Sequence, residues 1–273
     1  VAEPPVHRLA VLGSPIAHSR SPQLQLAAYR VLGLPWSYER VEVTEAGLAP
    51  FLGGLDASWR GLSLTMPLKR RVPGLVPEVD PVAARTAQAN TILLDAGRPV
   101  RAFNTDVHGI VAAFAEAGVR SADEATVIGG GATAESAVVA LQQLGARVTL
   151  AVRDPAKAES TASFRGIRVV PLSEARDALA ASRAVVSTIP PRAEFSLEVP
   201  ALSEEQRLLD VAYDPWPSAL GSRWQAAGGG VVHGVRMLLH QAVHQVRIFV
   251  GGDPELALPD EDAVIRAMSA AVE

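Results

Sequence analysis

Residues 126–152 contain the parts of a nucleotide-binding turn. Thr126-Val-Ile-Gly129-Gly130-Gly131-Ala-Thr-Ala134 reads as a buried strand, then G-x-G-x-x-A, then a helix through Leu144, with a second strand from Arg147 to Val152. Gly129 would allow the tight turn, Gly131 would let the backbone approach a pyrophosphate at the helix N-terminus, and Ala134 would let helix and strand pack closely. A glycine triplet alone marks only a tight βα turn, but the strand before it and the βα unit after it favour a dinucleotide. Val152 ends the second strand and cannot bond a ribose 2′-OH. Arg153, which follows, offers a planar fork to a 2′-phosphate, so NADP is expected over NAD. Asp154 would oppose that phosphate, and a surface pair between Arg153 and Asp154 is the plain alternative. Thr188, just past an expected strand at Ala184 to Ser187, is a further cofactor candidate.

Three other polar clusters fall at the ends of expected strands, where open α/β sheets bind ligands. Gly13-Ser-Pro-Ile-Ala-His18-Ser19-Arg20-Ser21-Pro22 places paired hydroxyls at a helix start, a position suited to a carboxylate. Gly61-Leu-Ser63-Leu-Thr65-Met66-Pro67-Leu68-Lys69 places a lysine a few residues beyond a strand. Asn90-Thr91 and Asn104-Thr105-Asp106 form the third, the latter at an expected domain junction. Each has a structural alternative: Ser21 capping its helix, Lys69 solvated beside Arg70 and Arg71, and Asp106 capping a helix that runs to Gly118.

Residues so far apart act together only if several strand ends meet on one edge. Short β-branched runs alternate with longer segments rich in alanine and leucine, which predicts βα units around mostly parallel sheets. Strands are expected at Leu9–Leu12, Ser37–Val43, Gly61–Thr65, Thr91–Leu94, Thr126–Ile128, Arg147–Val152, Ile167–Val170, Ala184–Ser187, Leu208–Val211 and Gly230–Val232. A helix is expected from Pro22 to about Leu32, with Ser21 at its N-cap and Gly33 ending it. Another runs from His233 to Val250 with an apolar stripe at Val235, Leu238, Leu239, Ala242, Val243, Val246 and Phe249, and a last one from Pro254 or later to about Val272. The length of 273 residues suits two domains. The boundary is expected around Asp106 to Ala125, giving residues 106–232 as one domain and 1–105 with the returning helices 233–273 as the other.

Composition narrows the function. With 48% apolar and 20% charged residues the chain can bury a core, and 25 basic against 29 acidic residues, a net charge of −4, supply no field for a nucleic-acid backbone. No cysteine is present, so disulfides, thiolate metal sites and a cysteine nucleophile are excluded. No run approaches the roughly 18 apolar residues of a membrane helix. The apolar stretch after Arg8 is shorter than a signal-peptide core and soon meets Pro15 and His18, so the expectation is a cytoplasmic chain. The six histidines, among them His233, His240 and His244, lack acidic companions at ligand spacing, and no metal is expected.

The order GSPIAHSRSP, LSLTMPLK, QANTI, FNTDVHG, IGGGATA, DVAYDP, HGVRMLLHQA resembles the shikimate dehydrogenase family, from about residue 9 to residue 250. The resemblance implies a two-domain α/β enzyme, with a substrate-binding catalytic domain and a Rossmann-type NADP domain, that reversibly reduces 3-dehydroshikimate to shikimate. It implies Lys69 and Asp106 as the catalytic pair. Ser19, Ser21, Thr65, Asn90, Asp106, Tyr213 and Gln241 would line the substrate site, and Gly129, Gly131, Ala134, Arg153, Gly234 and Met237 would serve the cofactor. Expected partners are the small-molecule substrate and no nucleic acid or membrane, in a monomer or homodimer. The chain departs from the family's usual pattern at Gln25-Leu26 (commonly His-Asn), Ser63-Leu64 (commonly Asn-Val), Ala132, Glu135 and Val152-Arg153-Asp154 (commonly Asn-Arg-Thr). A quinate or aminoshikimate paralogue and a non-catalytic NADP-binding sensor are the alternative readings.

Overall fold

Each of two units is organised by a six-stranded sheet in the computed structural model, which describes residues 6–190, 193 and 195–272. One unit takes in the chain up to Thr105 together with Gln241 onward, and the other is Asp106–His240. The sequence pattern places the return at residue 233, whereas the division falls at Gln241, inside a helix.

The first unit opens with β1 (Arg8–Gly13), α1 (Ser21–Val31), β2 (Ser37–Glu42), α2 (Leu48–Gly53), β3 (Trp59–Leu64), β4 (Glu78–Val79), α3 (Pro81–Thr86), β5 (Thr91–Asp95) and β6 (Arg98–Phe103). Its sheet order is β2-β1-β3-β5-β6-β4. β1 runs parallel to β2 and β3, while β5 is antiparallel to both β3 and β6, so this sheet is mixed rather than mostly parallel. The cause is the connection after β5: Ala96 and Gly97 both have positive φ, 47° and 77°, a two-residue turn that joins only antiparallel neighbours. Buried Ala10, Leu12, Leu62, Leu64, Ile92, Leu94 and Ala102 supply the core against that sheet. Ser21 is the first helical residue of α1, not its cap; Arg20 occupies the cap position and no side chain bonds there.

The second unit continues with α4 (Asp106–Glu116), β7 (Glu124–Ile128), α5 (Ala132–Gln143), β8 (Arg147–Val152), α6 (Pro155–Glu159), β9 (Arg168–Pro171), α7 (Arg176–Ala181), β10 (Ala184–Ser187), β11 (Arg207–Asp210), α8 (Ala219–Ala226) and β12 (Gly230–His233). All its strands are parallel, in the order β12-β11-β10-β7-β8-β9. Counted from β7 this is the doubly wound Rossmann order, whose ligand crevice opens where connections leave β7 in opposite directions, between β7 and β10.

α9 (Gly234–Gly251) and α10 (Glu261–Ala270) close the chain. α10 buries Val264 and Met268 and packs on α1, and Arg20 Nη1 donates to Val272 O at 3.0 Å. No helix among the described residues is long and apolar enough to cross a membrane. The two last helices are tied by Arg247, which donates to Glu261 Oε2 at 2.7 Å and Oε1 at 2.5 Å and to Pro254 O at 2.9 Å. Arg247 holds the Glu261 carboxyl below its ordinary range, so the pair stabilises the fold at neutral pH and its contribution is lost as pH falls through that lowered range. Glu261→Gln should therefore cost about 1–2 kcal/mol at pH 7. In denaturant titrations against pH, the gap between wild type and variant should close toward pH 3.

Candidate functional site

In the first unit the C-terminal ends of β1, β3 and β6 and the start of antiparallel β5 lie on one edge of the sheet. The loop after β1 is drawn to the turn after β3, with Ser14 N donating to Met66 O at 3.0 Å and Thr65 N to Leu12 O at 2.9 Å. That turn carries half-buried Lys69, whose carbonyl accepts from Ala89 N at 3.0 Å, next to Asn90. Ser19 Oγ lies 3.3 Å from Ser21 Oγ and accepts from Ser21 N at 3.3 Å, so the two hydroxyls stand side by side where α1 begins.

Asn90 is 2% exposed. Its Oδ1 accepts from Thr105 N at 3.0 Å and from Thr91 Oγ1 at 2.9 Å, and its Nδ2 donates to Thr105 Oγ1 at 2.9 Å and Gln241 Oε1 at 3.3 Å. A backbone N–H can only donate, so the Thr105 bond fixes which way the Asn90 amide faces. Behind this cluster lies a second one. Gln245 accepts at Oε1 from Gln25 Nε2 (3.2 Å) and Ser63 Oγ (3.0 Å), and donates from Nε2 to Thr91 Oγ1 (3.0 Å) and Asn90 O (3.3 Å). Tyr29 donates its hydroxyl to Gln25 Oε1 at 2.9 Å, and burial pushes that phenol's pKa well up, so it stays protonated. Asn90, Thr105 and Gln241 are thus brought into direct contact, with Thr65, Lys69, Ser19 and Ser21 on the same sheet edge. Sequence reasoning missed Gln245. The available signal was its place four residues, one helical turn, after Gln241.

In the second unit the glycine turn sits at the crevice between β7 and β10. Gly129 has φ +112°, and a Cβ there would lie 2.4 Å from Thr188 Oγ1, so fold geometry alone demands glycine. Thr188 itself is held by bonds from its N and Oγ1 to Ile128 O, at 2.8 and 3.1 Å. Gly131 is different: a Cβ would meet no protein atom within 4 Å, so packing does not require glycine and the space over the α5 N-terminus is open. Ala134 is fully buried on α5, and Glu135 is buried in the helix's first turn rather than displayed beside Gly130 and Gly131.

Arg153 is exposed at the end of β8 and has no ion-pair partner among the described residues. Asp154 instead caps α6, accepting from Lys157 N at 3.1 Å, which sets aside the Arg153–Asp154 surface pair. Asp106 is buried as the first residue of α4, and Tyr213 is half-buried in the loop after β11. That loop is anchored by buried Asp210, which accepts from Ala212 N at 3.2 Å and from the Ser218 hydroxyl; burial raises its carboxyl pKa. Trp216 stacks on His233, with centroids 3.8 Å apart. Gly234 is explained by close packing, since a Cβ would lie 2.6 Å from the carbonyl oxygens of Asp210 and Val211. Met237 is buried one turn on. Among the described residues no three acidic or histidine side chains gather as a metal would need.

The family model for the shikimate dehydrogenase substrate binding domain matches residues 11–92. Along 96% of its length the chain is 33% identical to the shikimate dehydrogenase (NADP(+)) of Thermus thermophilus, covering 98% of that protein. The crystal structure of Mycobacterium tuberculosis shikimate dehydrogenase is 38% identical, with a TM-score of 0.80 over 97% of this chain and 99% of that one. A crystal structure of a Thermus thermophilus shikimate 5-dehydrogenase, in complex with NADP(H) and shikimate, is 32% identical, with a TM-score of 0.82 over 97% of this chain and all (100%) of that one.

The two glycines separate fold from ligand. Gly129→Ala forces an alanine to positive φ against Thr188 and should lower the melting temperature by several degrees. Gly131→Ala should leave the melting temperature unchanged and weaken dinucleotide binding about tenfold or more in a fluorescence titration, because its methyl fills space that a pyrophosphate would need.

Proposed function

The chain belongs to the shikimate dehydrogenase family, and from that premise we propose that it interconverts 3-dehydroshikimate and shikimate with NADP. The observation that carries this reading is the buried amide and hydroxyl cluster of Asn90, Thr105 and Gln241, on the sheet edge that also bears Lys69 and the Ser19–Ser21 hydroxyls. Each hydroxyl of a polyol acid loses water on binding and needs a protein partner, and this edge offers hydroxyls and amides at the right density. Ser19 and Ser21 receive the carboxylate; Thr65, Asn90, Gln241 and Tyr213 meet the ring hydroxyls.

NADP, when bound, supplies or takes the hydride. In the reducing direction the substrate's carbonyl oxygen gains charge as its carbon is reduced, and Lys69 donates a hydrogen bond and then a proton to that oxygen, recovering a proton from solvent afterwards. Asp106 orients Lys69 and favours its charged form by direct electrostatics, so it need not transfer the proton itself. Gly129, Gly131 and Ala134 shape the turn for the pyrophosphate, with Thr188 beside it and Gly234 and Met237 at the start of α9. Exposed Arg153 takes the 2′-phosphate; its lack of an ion-pair partner among the described residues and the open space at Gly131 both suit this.

A panel that follows nicotinamide absorbance with shikimate, quinate and an amino analogue, each with NADP and NAD, tests the proposal. Turnover should be fastest with shikimate and NADP, and no turnover by folded, NADP-binding protein on any of them would overturn it. Lys69→Ala should lower kcat about 10²–10⁴-fold with NADP affinity unchanged. Asp106→Asn should also lower kcat, and the double variant should fall far short of the product of the two losses. Arg153→Ala should raise the NADP dissociation constant about ten- to a hundredfold and leave that of NAD nearly unchanged. Asp154→Ser keeps an oxygen that can cap α6 and should tighten NADP.

A further inference from the structure

The cluster around Gln245 has a direction. Asn90 O is a backbone carbonyl and can only accept, so the Gln245 amide must turn Nε2 toward it and Oε1 toward Gln25 and Ser63. With two bonds received at Oε1 and two given from Nε2, the hydrogen-bonding capacity of a glutamine amide is filled. Donation from Nε2 uses the lone pair of Thr91 Oγ1 and sends that hydroxyl's own proton to Asn90 Oδ1. Asn90, oriented from both sides, then donates to Gln241 Oε1. Proton by proton, the order runs from Tyr29 through Gln25, Gln245, Thr91 and Asn90 to Gln241.

The helices repeat the pattern. Gln25 stands one turn after Ser21 on α1, and Gln245 one turn after Gln241 on α9, so the Gln25–Gln245 bond joins the two helices one turn, about 5.4 Å, from the residues assigned to the substrate. Gln25 and Gln245 are 0% and 2% exposed. Polar side chains buried in a helix–sheet core weaken it unless they are satisfied, and apolar residues would serve packing alone at least as well.

We propose that Gln245, held by Gln25 and Ser63, is a positioning residue for substrate recognition, reinforcing through Thr91 the hold that Thr105 N has on the Asn90 amide and so the way Asn90 and Gln241 are presented to the substrate. This rests on the proposed substrate site. The decisive pair is Thr91→Val and Thr91→Ser, since valine keeps the shape of a buried strand residue while removing the relay hydroxyl and serine restores it. Thr91→Val should raise KM for shikimate about tenfold, with kcat changed less than threefold and the NADP dissociation constant unchanged; Thr91→Ser should return KM to near wild type. Gln245→Leu should raise KM likewise. If it fails to fold, the Thr91 pair decides. Wild-type KM in Thr91→Val, beside a raised KM in Asn90→Ala, would overturn the positioning role and leave the substrate site standing. Wild-type KM in Asn90→Ala as well would remove the substrate site, and the proposal with it.

Discussion

A buried amide must be satisfied on both of its ends, and in the first unit that requirement governs the placement of the buried polar side chains around the start of β5. Asn90 sits where β5 begins, and its bonds reach Thr91 beside it, Thr105 beyond β6 and Gln241 on α9. Leaving any such group without a partner costs about 1–3 kcal/mol, comparable with the consequence of a sizeable core truncation. The strand ends that meet at this edge are therefore held in one arrangement by the fold itself. Preorganisation of this kind reduces the ordering needed when a ligand binds.

The second unit meets a different constraint. Its parallel sheet changes direction between β7 and β10, and the turn at that place must be tight enough to bring Gly129 against Thr188 while leaving the α5 N-terminus uncovered. Gly129 answers to the backbone and Gly131 to the space above it. At the start of α5 no side chain of residue 131 occupies that open space.

Much of this is legible in the sequence, for identifiable reasons. Strands at Arg147–Val152 and Ala184–Ser187 carry β-branched runs bounded by clear turn residues, and the pattern gives their limits to the residue. β6 is hidden, because Pro99 and two arginines blur its pattern and Ala96 stands where a hairpin turn usually shows asparagine or aspartate. Ser21 followed by Pro22 imitates a cap, yet the helix begins one residue earlier. Gln245 escapes because an amphipathic reading sends polar residues to solvent, and its partners Gln25, Ser63 and Thr91 lie 220, 182 and 154 residues away. Periodicity reports which face of an element is buried; it does not report a polar group satisfied by another part of the chain.

As a binding surface, and not only a structural knot, the Asn90 cluster must respond when substrate arrives. That role is tested most directly by following the side-chain amide resonances of isotope-labelled protein as shikimate is added. The NH2 signals of Asn90 and Gln241 should shift in proportion to occupancy, while those of Gln25 and Gln245, one layer behind, should move much less. Saturable binding that moved resonances elsewhere and left both Asn90 and Gln241 unshifted would contradict it.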